Sequence, residues 1–300
     1  DPRQHGVIHR RRQKSAGSPR RTSVLGVARG GVIVRLGDCV RGGRRPSQQR
    51  SQAVPVRTRD FGKTFTSITT GLPAYGNIQV VTEDVKNRNL LFAGTEFGLY
   101  VSTTAGDSWQ KFMNDYPTVR TDDIMVHPRD GDLIVGTHGR GIWIADDITP
   151  LQQLTPAVAN AEATLFDIRP GVAFLNDRKL GEQVTGQQVA RGENAPRGTY
   201  ISYHLRAAAA GDVRITISDI TGRTIRTLTG TKDAGINRVL WNLSAAPAAG
   251  AGGFGGGGGG GGGGGPAAVA PGMYKVTLQV GSLTLSKTVE VLEDRWVEER

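Results

Sequence analysis

The sequence predicts an all-β chain in which an incomplete propeller of about two to three blades is followed by a β-sandwich. Three observations carry that prediction. A short turn-forming segment recurs after 44 residues, similar hairpin runs surround both copies, and the later half of the chain alternates apolar and polar side chains with a period of two. Composition agrees: 43 of 300 residues are glycine, 37% are apolar, and few windows carry helical periodicity.

Residues 1–56 stand apart. Residues 1–57 hold 14 Lys plus Arg against 2 acidic residues, a net of +12, whereas the remainder is close to neutral although the whole chain is +10. The only short apolar runs before residue 50 are Val24 to Ala28 and Gly31 to Leu36, and the lone cysteine, Cys39, also falls here. A basic arm of this composition can grip phosphate through counterion release. The alternative is a disordered or non-native stretch, since its Arg/Gly/Ser/Pro/Gln bias is what a GC-rich frame read out of phase would give. The second reading is adopted, and nucleic acid is not expected as a partner.

Residues 57–149 carry the repeat. Thr58-Arg59-Asp60-Phe61-Gly62-Lys63-Thr64-Phe65 corresponds to Ser102-Thr103-Thr104-Ala105-Gly106-Asp107-Ser108-Trp109, each just after an apolar run. The chemistry is that of a tight turn: an Asp carboxylate accepts backbone N–H bonds, glycine takes positive φ, and the closing aromatic wedges between sheets. Leu91 to Val101 likewise matches Leu133 to Ile144 with one inserted residue, so two hairpins of one make are predicted. A third turn would begin at Asp147, but no glycine or aromatic follows it, and the array is predicted to end there.

The two copies fit Ser/Thr-x-Asp-x-Gly-x-Thr/Ser-aromatic, which resembles the Asp-box of sialidase-like and sortilin-like propellers, with Thr104 departing from the pattern. The resemblance implies a structural role for Asp60, Gly62, Thr64, Phe65, Gly106, Ser108 and Trp109, on a peripheral hairpin away from the ligand face. It also implies an exported, extracytoplasmic bacterial protein of the sortilin-like, glycosyl hydrolase kind, of which this chain is a C-terminal fragment.

Residues 150–198 read as a linker: a brief helix within Leu151 to Ala163, an edge strand at Thr164 to Phe166, then a polar connection from Asn176 to Arg197. From 199 to 292 six alternating runs, with Trp241 among them, predict a two-sheet sandwich. The turn Ser218 to Arg223 and the strand start Pro271-Gly272-Met273-Tyr274 resemble the immunoglobulin-like domain of flagellar hook-cap proteins. A loop at 250–266, containing eleven consecutive glycines, interrupts the sandwich and is expected to be flexible. Residues 293–300 are a tail. No stretch approaches the roughly 20 apolar residues of a membrane-spanning helix.

Candidate ligand-face residues are Asp123, at a strand start with Asp122, and His138 and Arg140 in the tight turn Gly136-Thr137-His138-Gly139-Arg140-Gly141. A phosphate loop would need a helix after that turn, and a strand is predicted instead. Asp122 and Asp123 make a poor acid/base pair if strand neighbours point to opposite faces. His138 with His127 would leave a metal site short of ligands, so no metal, cofactor or catalytic residue is assigned. Sialidase chemistry needs an arginine cluster and a Tyr–Glu pair, and neither is found. The expected function is non-catalytic recognition of a protein or carbohydrate ligand at the propeller face; the alternative is the remnant of a sialidase- or xyloglucanase-like glycoside hydrolase whose catalytic blades lie elsewhere.

Overall fold

The computed structural model describes residues 33–38, 53–60, 63–174, 196–246 and 267–294, of which 33–38, 53 and 54 are described by backbone alone. The fold is all-β, with two five-residue helices among the described residues. Gly62, Cys39, most of the 176–197 connection and the 250–266 glycine loop lie outside the described residues, as do 295–300.

Three antiparallel sheets follow one another along residues 33–145. The first has the order β1 (Ile33–Asp38), β2 (Ala53–Thr58), β3 (Thr66–Ser67). The second is a four-stranded meander of β4 (Ile78–Glu83), β5 (Leu91–Thr95), β6 (Gly98–Ser102) and β7 (Gln110–Lys111). The third has only β8 (Thr121–Val126), β9 (Leu133–Thr137) and β10 (Ile142–Ala145). Residues 33–38 and 53–56 therefore belong to a sheet, although the sequence set 1–56 outside the blades. The apolar run ending at Leu36 finds an antiparallel partner beyond a long intervening stretch, from Ile33↔Thr58 to Asp38↔Ala53, which no local signal announces.

Stacking of the sheets follows from the period of two. Val81, Ala93 and Tyr100 on one face of the second sheet join Ile68 and Trp109 in one apolar cluster. Val80, Phe92, Leu99 and Val101 on the other face pack with Ile124, Val126, Leu133 and Val135 of the third sheet. Both faces of β5 and β6 are thus covered and every residue on these strands is buried, which explains the unbroken apolar run Leu90-Leu91-Phe92-Ala93.

After β10 the chain rolls into α1 (Thr149–Gln153) and α2 (Pro156–Asn160). The stretch read as a linker also supplies β11 (Ala163–Leu165) and β12 (Gly171–Ala173). Two sheets face each other beyond it, β11-β13-β16 and β12-β18-β17-β14-β15, formed with β13 (Thr199–Leu205), β14 (Val213–Ser218), β15 (Thr224–Gly230), β16 (Gly235–Trp241), β17 (Gly272–Val280) and β18 (Leu283–Glu293). Their core centres on Trp241, packed edge-on against Tyr274 at 5.5 Å, with Ile201, Tyr203, Ile215, Val276 and Leu278 fully buried around it. The strand ends at Trp241, and beyond it Leu243 takes φ 55° and Ser244 bridges to Ala268.

Polar contacts tie the two regions together. Gln152 donates from its amide to Asp84 and accepts from Asn87 at its carbonyl, both at 2.8 Å. Arg169 is paired with Asp132 at 2.7 Å, and Arg238 donates to the carbonyls of Asp146 and Asp147 while lying 4.1 Å over the Tyr200 ring.

Candidate functional site

The two repeat turns differ in chemistry. In the first, Asp60 accepts from the Lys63 and Thr64 amides at 3.0 and 2.8 Å and from the hydroxyls of Thr58 (2.8 Å) and Thr64 (2.6 Å). The hydroxyl bond from Thr64, then its amide, hold the Asp60 pKa down at about 2. In the second, the Thr104 hydroxyl occupies the equivalent position, accepting from the Ser108 amide at 3.0 Å, and the Ser102 hydroxyl accepts from the Gly106 amide at 2.9 Å. Gly106 has φ 92°, which a side chain would strain.

The closing aromatics also part company. Trp109 is 4% exposed and its indole N–H reaches across to the Ile68 carbonyl at 2.8 Å, whereas Phe65 is 42% exposed. Arg57 of β2 reinforces the crossing by donating to the Ala105 carbonyl and to Asp107. The second turn is thereby stapled to the first sheet.

At the opposite end, where β4 and β8 begin, successive sheets build one loop design. In the second sheet the Glu96 amide donates to the Asn77 carbonyl at 3.1 Å, and in the third the His138 amide donates to the Arg120 carbonyl at 2.9 Å. Thr95 and Thr137 sit at matching positions, each donating its hydroxyl across the turn, to Gly98 at 3.0 Å and Gly141 at 2.7 Å. A β-bulge follows in both strands, between Ile78 and Val80 and between Thr121 and Asp123. The two loop sets adjoin, since a Cβ on Gly94 would lie 2.9 Å from the Thr121 carbonyl oxygen.

The bulge corrects one sequence expectation. Asp122 and Asp123 are not a simple up-and-down pair; both are exposed at the irregular strand start. Asp122 joins Arg120 and lies 3.2 Å from His138 Nδ1. Partial desolvation opposes its ionisation, but the bonds from Arg120 and His138 outweigh this and hold its pKa below the usual value. Asp123 caps its own strand, accepting from the Ile124 amide at 2.9 Å. Arg140 is exposed, its amide bonded to the Thr137 hydroxyl and its carbonyl to the Trp143 indole. His127 lies at the far end of β8 and pairs with Asp130, so the structure does not bring it to His138.

The same end carries residues that the sequence reading did not assign to the ligand face: Tyr75, Asn77, Glu96, Phe97 and Arg120. For Glu96 and Phe97 a signal was present in the hairpin alignment, which sets Glu96 opposite His138. Cavities also lie elsewhere among the described residues. One of about 430 Å³ between the blade sheets and the sandwich is lined by Lys86, Arg129, Asp130, Gln153, Asp167 and Arg169. Another, about 390 Å³, is an apolar recess at one end of the sandwich, lined by Val172, Phe174, Leu243, Val269 and Pro271 with Glu293 at its rim.

No protein-family model matches the chain, and no curated protein matches it. Among solved structures it is similar to PorZ, a surface component of the type-IX secretion system of Porphyromonas gingivalis, at 14% identity and a TM-score of 0.31, covering 90% of this chain and 30% of that one. It is also similar to the extracellular domain of a hybrid two-component system of B. thetaiotaomicron, at 12% identity and a TM-score of 0.31, covering 92% of this chain and 31% of the other. The chain thus spans about a third of the length of these structures. No helix among the described residues is long and apolar enough to cross a membrane.

Proposed function

We propose that the chain is a non-catalytic part of an exported Asp-box propeller protein and that it recognises a protein or glycan with the loops at the β4 and β8 starts. The observation that supports this most is the duplicated loop design, which projects different side chains from one scaffold: Tyr75, Asn77, Glu96 and Phe97 in one sheet, Arg120, Asp122, His138 and Arg140 in the next. Repeated scaffolds with divergent loop tips are the usual platform for binding. The Asp-box reading is supported by the four bonds converging on Asp60 and by the Trp109 wedge, on which Asp60, Thr64, Gly106, Ser108 and Trp109 are assigned to scaffold, while Gly62 and Phe65 are assigned to it by the resemblance alone. Asp123, His138 and Arg140 are assigned to the ligand side.

The test is binding of the purified chain to immobilised glycans and to extracellular protein fractions, run beside hydrolysis of aryl glycosides. Retention that falls when His138 and Arg140 are both replaced by alanine supports the reading. Turnover of any aryl glycoside by the chain would replace it with the hydrolase alternative.

A further inference from the structure

We propose that the second-sheet half of this loop cluster is a carbohydrate platform that takes the apolar face of a pyranose ring on Tyr75 and Phe97 and its hydroxyls on Glu96 and Asn77. The proposal rests on the recognition reading and narrows it to a ligand class and a set of residues.

Tyr75 and Phe97 come from different loops and meet edge to face, with centroids 5.5 Å apart and ring planes at 69°. They are 69% and 39% exposed, whereas Phe92, Phe166 and Trp241 are completely buried. Gly76 shows that the arrangement is built. It has φ 90°, and a Cβ there would fall 2.4 Å from the Phe97 ring, so bare backbone makes room for the ring. The Phe97 turn is itself pinned by the Thr95 hydroxyl, which accepts from the Phe97 amide at 3.1 Å.

Beside the rings, Glu96 accepts from the Asn77 amide group at 3.0 Å through Oε1. This bond and the Glu96-to-Asn77 backbone bond hold carboxylate and carboxamide side by side. Glu96 Oε2 and Asn77 Oδ1 have no partner among the described residues. Two fixed acceptors next to an exposed aromatic pair complement a ring with C–H groups on one face and hydroxyl donors at its edge. Glu96 has no cationic partner among the described residues, which disfavours an anionic ligand at this spot.

The experiment is titration of the purified chain with neutral gluco-, manno- and xylo-oligosaccharides by calorimetry. Tyr75→Ala and Phe97→Ala should each weaken the bound sugar about tenfold or more, Glu96→Gln should weaken it several-fold, and Lys232→Ala, whose side chain pairs with Asp212 on the sandwich surface, less than about twofold. Near-ultraviolet circular dichroism, to which Trp109 buried in the same sheets contributes, certifies folding of each variant. Sugar binding that depends on Arg140 and not on Tyr75 overturns the platform and leaves the wider recognition reading standing. Loss of a protein ligand on Tyr75→Ala, with no sugar bound, overturns the carbohydrate assignment alone. A folded chain that retains neither sugars nor proteins overturns both readings.

Discussion

The second and third sheets begin with the same design and meet different fates. On β6, Leu99, Tyr100 and Val101 are 2%, 4% and 8% exposed; at the matching positions of β10, Ile142, Trp143 and Ile144 are 72%, 37% and 59% exposed. Pairing registers are equivalent, with Phe92↔Val101 in one sheet and Ile134↔Ile144 in the other. What differs is the surroundings. β6 is followed by a repeat turn and β7, and its outer face is covered by the third sheet. After β10, Asp147 takes φ 53°, its amide bonds to Asp132, and the Ile148 amide bonds to the Gly131 carbonyl, which diverts the chain into α1. In the Met125–Ile134–Ile144 row, Met125 and Ile144 are then exposed and Ile134 is half-buried. An apolar strand in a repeat array is usually covered by a neighbour, and β10 keeps the composition of such a strand although Ile142 and Ile144 are exposed.

The largest effect that would break this contrast is on stability. Leu99→Ala should destabilise by about 2–5 kcal/mol, while Ile142→Ala should cost under about 0.5 kcal/mol. Equal losses in denaturant titrations would mean that something covers β10 in solution. Trp109→Ala should likewise cost about 3–5 kcal/mol and Phe65→Ala much less, because only the former wedges into a described neighbouring sheet.

Smaller effects sharpen the comparison. Replacing both Ile142 and Ile144 with lysine should lower binding of a hydrophobic dye and raise the solubility limit, leaving the melting temperature within about 2 °C. Glu83, at the end of β4, has a pKa raised by burial, a shift that Arg88 opposes and Asp84 reinforces. Its neutral form is therefore favoured in the fold, a contribution present below its unfolded pKa and lost as pH rises through the folded value. Glu83→Gln should raise the melting temperature at about pH 7 and leave it nearly unchanged at about pH 4.

The smallest effect separates the two turns. The depressed Asp60 pKa stabilises its turn above the ordinary value of 3.8 and is lost as pH falls toward about 2, whereas Thr104 has no charge to lose. Amide protection at Thr64 should fall across that range while protection at Ser108 stays flat.

Much of the fold was legible because its signals are local. The recurrence of the turn, the hairpin alignment and the alternation around Trp241 each need only a short window. β1 and β12 were not legible, because β1 pairs across an intervening stretch and β12 joins β18 in parallel, more than a hundred residues away in sequence. The bulge at Asp122 was hidden for a related reason: an extra residue in a strand leaves composition unchanged but resets every face after it. At the candidate site, His138 and Arg140 stood out by residue type. Tyr75 and Phe97 did not, since an aromatic near an apolar run looks like core until the positive φ of Gly76 shows the loop folding the ring outward.

The Trp109 indole gives the stack a direction. Its donor rests on the carbonyl of a residue in the preceding sheet, so a turn belonging to one repeat is finished only by the repeat before it. Stripping away the third sheet would leave that clasp whole, while stripping away the first would orphan a buried N–H and expose the ring. Unravelling from the amino-terminal side should therefore propagate inward, and unravelling from β10 should stall at the second sheet. Limited proteolysis followed by mass mapping would see that asymmetry as loss of the second sheet whenever the first is cut, and its survival when the third is cut.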